Sequence, residues 1–194
     1  MRQIILTLIL FLALVLPCQS QMLQSVVTGK TTAVVGDGAI GNSDSYAEYA
    51  GLVAGYNYQS YYTTTTAGNV GYGHVYVHND GSAITLCLAL YDFSGTKLLS
   101  GSQDISGING ADVVNISMSG SYEILAATDY WVSAIASASF TGGEGISYYP
   151  SGGNGTYYDG GGHACGETPI DPDNTLINVD DHYNIFFDNQ SGDP

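Results

Sequence analysis

Acidic side chains gather in a proline-containing segment near the end of the chain. Four carboxylates stand within residues 171–181: Asp171, Asp173, Asp180 and Asp181. Calcium takes about six to eight oxygen ligands, frequently from Asp carboxylates and loop carbonyls. The segment lacks the glycine and the glutamate that an EF-hand loop needs at its sixth and twelfth positions. It therefore predicts either a calcium site of another kind or an acidic loop that is only solvated.

Two pairs of adjacent tyrosines flank a glycine-rich stretch: Tyr148 with Tyr149, and Tyr157 with Tyr158. Tyrosine is amphipathic, which suits stacking on the apolar C–H faces of sugars. It is also favoured in protein–protein contacts, because it offers a large area at a low entropy cost. Since long loops usually carry function, we expect residues 141–167 to form a loop that contacts a glycan or a second copy of the chain. Packing of the loop onto its own domain is the alternative.

Histidines offer little to a metal ion. His74 and His78 fall on one face of a predicted strand, where four residues at ~3.3 Å each separate them by ~13 Å. A metal binds imidazole nitrogen at about 2 Å, so the two cannot share one ion, and we expect surface or half-buried histidines. His163 and Cys165 lie close together, but no second pair at zinc spacing accompanies them.

The motifs of common hydrolases do not occur in the chain. A nucleophilic serine in a G-x-S-x-G turn is missing, and the four glutamates (Glu48, Glu123, Glu144 and Glu167) lie in no recognisable motif. The sequence therefore predicts a protein that is not an enzyme. Three Asn-x-Ser/Thr triplets, at Asn115, Asn154 and Asn189, would be surface glycan acceptors in a eukaryotic host.

The segments that position the candidate side chains show the alternation of apolar and polar residues that is typical of β-strands. In residues 83–92 one face is fully apolar and the other is hardly polar, which predicts a central strand covered on both sides. Residues 70–78 alternate in the same way, and Asp92 to Gly95 predicts a hairpin turn. Trp131, the only tryptophan, stands in an apolar strand and is expected to pack in the core. Further strands are predicted at 31–35, 58–64, 112–118, 121–126, 130–138 and 183–187, with a weak helical turn at 46–54.

Strands at roughly ten-residue spacing with glycine-rich turns favour an all-β fold, an antiparallel β-sandwich or jelly roll. The composition agrees, because glycine and tyrosine are abundant (26 and 16 residues) and only 11% of the residues are charged. Long helices are built from the charged residues that are scarce here.

The first twenty residues read as a secretory signal peptide. Residues 4–17 form an unbroken apolar run behind Arg2, too short for a membrane-spanning helix of about 20 residues. We expect residues 1–20 to be removed and residues 21–194 to form a single domain, secreted or held at the cell surface, with no membrane segment in the mature form. A lipid anchor on Cys18 is the alternative, although Pro17 stands where a small residue is expected.

Two cysteines remain after such a cleavage, Cys87 and Cys165. A secreted chain with two cysteines most simply pairs them, so we expect a disulfide. The alternative is a buried free Cys87 and an exposed, reactive Cys165.

The charge balance excludes some partners. Three basic residues face 18 acidic ones, and the net charge is −15. Phosphate backbones and anionic lipids are bound by Lys and Arg, so neither nucleic acid nor an anionic membrane is an expected partner.

The order of these pieces resembles jelly-roll, carbohydrate-binding-like modules of secreted, surface and phage proteins. The resemblance rests on Gly29-Lys30-Thr31-Thr32, Val75-Tyr76-Val77, Leu88-Ala89-Leu90-Tyr91-Asp92 with Leu98-Leu99, and Leu125 to Val132. It implies a jelly roll and only loosely a ligand. We therefore expect a secreted, non-catalytic structural or adhesive protein that self-assembles through the tyrosine-rich loop. The alternative is a stand-alone module for extracellular polysaccharide, with calcium as its one candidate cofactor.

Overall fold

Antiparallel strands dominate the computed structural model, which describes residues 38–41, 43, 48–149, 156–159, 162–164 and 182–190. These residues belong to one unit, residues 35–194. The described strands are β1 Ile40–Gly41, β2 Tyr49–Ala50, β3 Asn57–Thr63, β4 Gly68–Asp80, β5 Thr85–Asp92, β6 Lys97–Asp104, β7 Asn109–Ile124, β8 Asp129–Ala136, β9 Gly145–Tyr149, β10 Thr156–Asp159, β11 His182–Tyr183 and β12 Ile185–Asp188. No helix in this part of the chain is long and apolar enough to cross a membrane.

Two sheets make up the fold. The five-stranded sheet has the order β10-β3-β8-β5-β6. The seven-stranded sheet follows β1-β12-β4-β9-β11, with β2 beside β9 and β7 beside β4. Side chains from both sheets form one hydrophobic core, and every pairing between the described strands is antiparallel. The predicted all-β sandwich is thus confirmed.

Strand β5 has the alternating side-chain pattern from which the sequence predicted a central strand. Leu86, Leu88 and Leu90 point into the core and are at most 1% exposed. Cys87, Ala89 and Tyr91 are on the other face and are also buried. The strand lies between β8 and β6, so the prediction of a central strand covered on both sides is confirmed.

Two sequence predictions differ from the structure, and a third is not tested. The stretches 112–118 and 121–126 belong to one long strand, β7, because both pair with β4 across a register shift between Val70 and Tyr72. The helical turn at 46–54 is wrong for the described residues 48–54, where Tyr49 and Ala50 pair with Ser147 and Ile146 of β9. Residues 31–35 lie outside the described part of the chain.

The segment 141–167 is also not one long loop. It contains β9, which joins the seven-stranded sheet, and β10, which joins the five-stranded sheet. Ile146 explains the first strand, because its side chain is completely buried in the core and its backbone pairs with Val77 of β4. Composition alone suggested a loop, yet burial of Ile146 and backbone pairing hold this stretch in a sheet.

Candidate functional site

The two tyrosine pairs lie in different sheets. Tyr148 and Tyr149 stand at the end of β9, and Tyr157 and Tyr158 stand in β10 opposite Gln59 and Tyr58. Tyr148 is half-buried and packs against the hydrophobic core. For Tyr148 the structure supports the packing alternative, and a contact role for Tyr149, Tyr157 and Tyr158 stays a prediction.

The predicted calcium ligands Asp171, Asp173, Asp180 and Asp181 lie outside the described residues, so calcium binding stays a prediction. Within the part of the chain that the structure describes, no three His, Cys, Asp or Glu side chains are grouped as a metal site.

The predicted disulfide involves one described cysteine. Cys87 is 3% exposed and lines a cavity of about 310 Å³ together with His163 and Ala164. Cys165 follows Ala164 in the sequence but lies outside the described residues. The pairing therefore stays a prediction.

The histidine prediction needs a correction at His74. Its side chain is fully buried, at 1% exposure, and its Nε2 lies 2.8 Å from the carboxylate of Asp188. Its Nδ1 lies 2.5 Å from Oδ1 of Asn115. His78 is half-buried beside the ring of Tyr49, as expected. The sequence does not predict these contacts of His74, because Asp188 lies 114 residues away in the chain, on β12.

A groove lies at one end of the five-stranded sheet, where the β5–β6 turn approaches the β7–β8 turn. It is a shallow, open groove with a volume of about 500 Å³. It is lined by Asp92, Phe93, Ser94, Tyr122, Leu125, Ala127, Thr128, Asp129 and Tyr130.

Hydrogen bonds fix the first wall of the groove, the β5–β6 turn. Gly95 donates its N–H to the carbonyl of Asp92 at 3.0 Å, and it adopts φ 89°, which glycine tolerates best. The Asp92 carboxylate accepts from the Ser94 hydroxyl at 2.6 Å and from the Thr96 N–H at 2.8 Å. These bonds, the Ser94 hydroxyl first, hold the pKa of Asp92 below its usual value, so the group is anionic at neutral pH. The hairpin predicted from Asp92 to Gly95 is thus confirmed.

The second wall, the β7–β8 turn, is tied to the strand beside it. Thr64 donates its hydroxyl to the Leu125 carbonyl and its N–H to the Thr128 carbonyl. Ala127 adopts φ 51°, a left-handed conformation that is uncommon for a residue with a Cβ. The Asp129 carboxylate at the start of β8 accepts from the Thr63 hydroxyl at 2.5 Å. Both carboxylates of the groove are therefore held by hydroxyl groups.

Aromatic rings continue from the groove along the outer face of the five-stranded sheet. Phe93 is 57% exposed and stacks on Trp131, with the ring centroids 6.1 Å apart and the planes 11° from parallel. Trp131 is buried, and its ring packs edge-on against Tyr61 at 5.3 Å. The expected packing of Trp131 is confirmed, although its cluster lies outside the central core. Trp131 thus backs the Phe93 ring and holds it at the rim of the groove.

Exposed apolar side chains concentrate at this groove. Val53, Phe93 and Leu125 are the large apolar side chains that are exposed among the described residues, and Phe93 and Leu125 line the groove. Isolated exposed apolar residues are common and need no explanation, whereas adjacent ones that border a cavity suggest a binding surface.

The polar groups of the groove are acidic or neutral. None of its lining residues is Lys, Arg or His. Partial burial, followed by the neighbouring Tyr130 and Asp92, raises the pKa of the Tyr122 phenol, so its hydroxyl stays protonated. The groove therefore offers the Asp92 and Asp129 carboxylates as acceptors and the Tyr122 phenol as a donor beside the exposed ring of Phe93.

The groove went unnoticed in the sequence, although one of its turns was predicted. Nothing in the sequence places Leu125 to Thr128 beside Asp92 and Phe93, since that approach depends on the pairing of β5 with β8. Comparison with models of known families and with curated proteins found no match.

Proposed function

We propose that the protein is a non-catalytic extracellular binding module that takes a carbohydrate chain in the groove between the β5–β6 and β7–β8 turns. One observation carries the proposal: exposed Phe93 and Leu125 flank a cavity that also presents anchored carboxylates. A sugar has apolar C–H faces that can pack on Phe93 and Leu125, and hydroxyls that can donate to Asp92 and Asp129. This arrangement matches the general anatomy of ligand sites, apolar surface with a few placed polar groups.

The ionisation of Asp92 suits a hydrogen-bond acceptor and does not suit the general acid of a glycosidase. Glycoside hydrolysis needs a carboxylic acid whose pKa is raised, so that it can protonate the leaving oxygen. The pKa of Asp92 is instead lowered by the Ser94 hydroxyl and the Thr96 N–H. Asp92 is therefore suited to accept hydrogen bonds and to carry negative charge.

Removal of the Phe93 ring should separate binding from folding. We expect Phe93→Ala to weaken binding to a soluble polysaccharide at least about tenfold, equal to about 1.4 kcal/mol, because the exposed stacking surface is lost. Titration calorimetry against a panel of neutral and charged polysaccharides measures the effect, and circular dichroism checks the fold.

Val53→Ala is the matched control, because Val53 is also exposed, at 45%, and does not line the groove. It should bind like the wild type. Unchanged binding by Phe93→Ala would contradict the proposal, as would failure of the wild type to retain any glycan of the panel.

Adhesion is the role that such binding would serve outside the cell. Self-assembly through the tyrosine-rich segment stays the alternative, although the packing of Tyr148 on the core does not favour it. Sedimentation of the ligand-free protein tests that alternative directly, since assembly through tyrosines would give large species without glycan.

Secretion and a Cys87–Cys165 disulfide belong to the same proposal. The cavity shared by Cys87, His163 and Ala164 supports the pairing, since the next residue in the sequence is Cys165. We expect almost no free thiol in the mature, denatured and unreduced protein, and reduction should destabilise the fold by about 4.5 kcal/mol according to the chain-entropy model. Two reactive thiols per chain would refute the disulfide.

A further inference from the structure

The groove is negatively charged on two sides. Asp92 stands on the β5–β6 side and Asp129 on the β7–β8 side, and both line the same cavity. Their carboxylates are held by hydrogen bonds from Ser94 and Thr96 and from Thr63, respectively. No Lys, Arg or His lines the groove.

An exposed aromatic ring accompanies these carboxylates. Phe93 is backed by Trp131 in a stacked arrangement, which leaves its other face for a ligand. The face of an aromatic ring attracts cations, by about 0.5–1 kcal/mol at exposed sites. Two carboxylates and one ring face thus favour the same kind of ligand, a positively charged one.

From this complementarity we infer that the groove selects a carbohydrate with protonated amino groups, a glucosamine-type oligosaccharide, over its neutral and anionic counterparts. The inference rests on the proposed carbohydrate binding and adds the charge of the ligand. The sugar ring packs on Phe93 and Leu125, and the Asp92 and Asp129 carboxylates attract its ammonium group. The net charge of −15 adds a weaker attraction at long range, which salt screens.

Matched oligosaccharides test the contribution of the ligand's positive charge to binding. Glucosamine and N-acetylglucosamine oligomers of equal length and linkage differ at the amino group alone. At a mildly acidic pH, where the amine is protonated, calorimetry should give a dissociation constant about tenfold lower for the glucosamine oligomer. An oligomer of glucuronic acid should bind more weakly than either.

The double variant Asp92→Asn/Asp129→Asn tests the two carboxylates. The asparagine oxygen can still accept the bonds from Ser94, Thr96 and Thr63, so the turns keep their shape. We expect the preference to fall to about twofold or less, while binding of the N-acetylated oligomer persists. Asp104→Asn/Asp112→Asn is the matched control, because it removes the same charge from exposed positions outside the groove and should keep the preference.

The outcomes are distinguishable. Equal affinity of the wild type for both oligomers would overturn the inference and leave the proposed function standing. Equal loss of the preference in both double variants would also overturn it, because the net charge would then explain the effect. Binding of neither oligomer nor any other glycan would instead refute the proposed function.

Discussion

Asp188→Ala is expected to lower the free energy of unfolding by about 3 kcal/mol, because it leaves a buried hydrogen-bonding group without its partner. The pair is well enclosed: His74 is 1% exposed and Asp188 is 7% exposed, and the two are 2.8 Å apart. The same carboxylate accepts the N–H of Gln190 at 2.8 Å. The variant therefore leaves both a buried imidazole and a backbone donor without this acceptor, and urea denaturation measures the loss.

Glu123→Ala provides the comparison. Glu123 is an exposed carboxylate on β7, and its replacement should change stability by no more than about 0.5 kcal/mol. A loss below about 1 kcal/mol for Asp188→Ala would mean that the buried pair contributes little to the fold. In that case His74→Ala should also have little effect. We instead expect His74→Ala to lower the free energy of unfolding about as much as Asp188→Ala does.

Gly101→Ala is the second substitution with a large expected effect, about 3 kcal/mol of stability, at the upper end of overpacking costs. Gly101 lies on β6, where the edge of one sheet packs against β7 of the other. A Cβ at this position would run into the carbonyl of Ser117 and would stand 2.9 Å from Cγ2 of Ile116. Because the carbonyl belongs to the backbone, the two sheets would have to separate, and thermal and urea denaturation should both record the loss.

Gly120→Ala is the matched control within β7. A Cβ at Gly120 would meet nothing within 4 Å, so this variant should be as stable as the wild type or slightly more stable. Equal stability of the Gly101 and Gly120 variants would contradict the close approach of β6 and β7.

The strands that sequence patterns predicted well are those with one clear apolar face. Leu86, Leu88 and Leu90 mark β5 because a strand repeats every two residues, and Asp92 to Gly95 mark the hairpin because the turn chemistry is local. In both cases the relevant contacts lie close together in the sequence or follow directly from alternation.

The features that escaped prediction depend on distant partners. Gly142, Gly143 and Gly145 made the segment around β9 look like a loop, although Ile146 pairs with Val77, far away in the sequence. His74 needs Asp188 from β12 in the same way. The groove combines two turns about 30 residues apart, and no periodicity in the sequence reports how two turns meet.

Amide NMR of the labelled protein, titrated with the oligosaccharide that binds best, tests the central claim most directly. The account predicts that the largest chemical-shift changes fall on residues 92–95 and 122–130, and that Phe93→Ala abolishes them. The amides of β9, including Tyr148, should move little. Shifts centred on residues 145–149, with residues 92–95 and 122–130 unchanged, would contradict binding in the groove and would return the contact surface to the tyrosine-bearing strands.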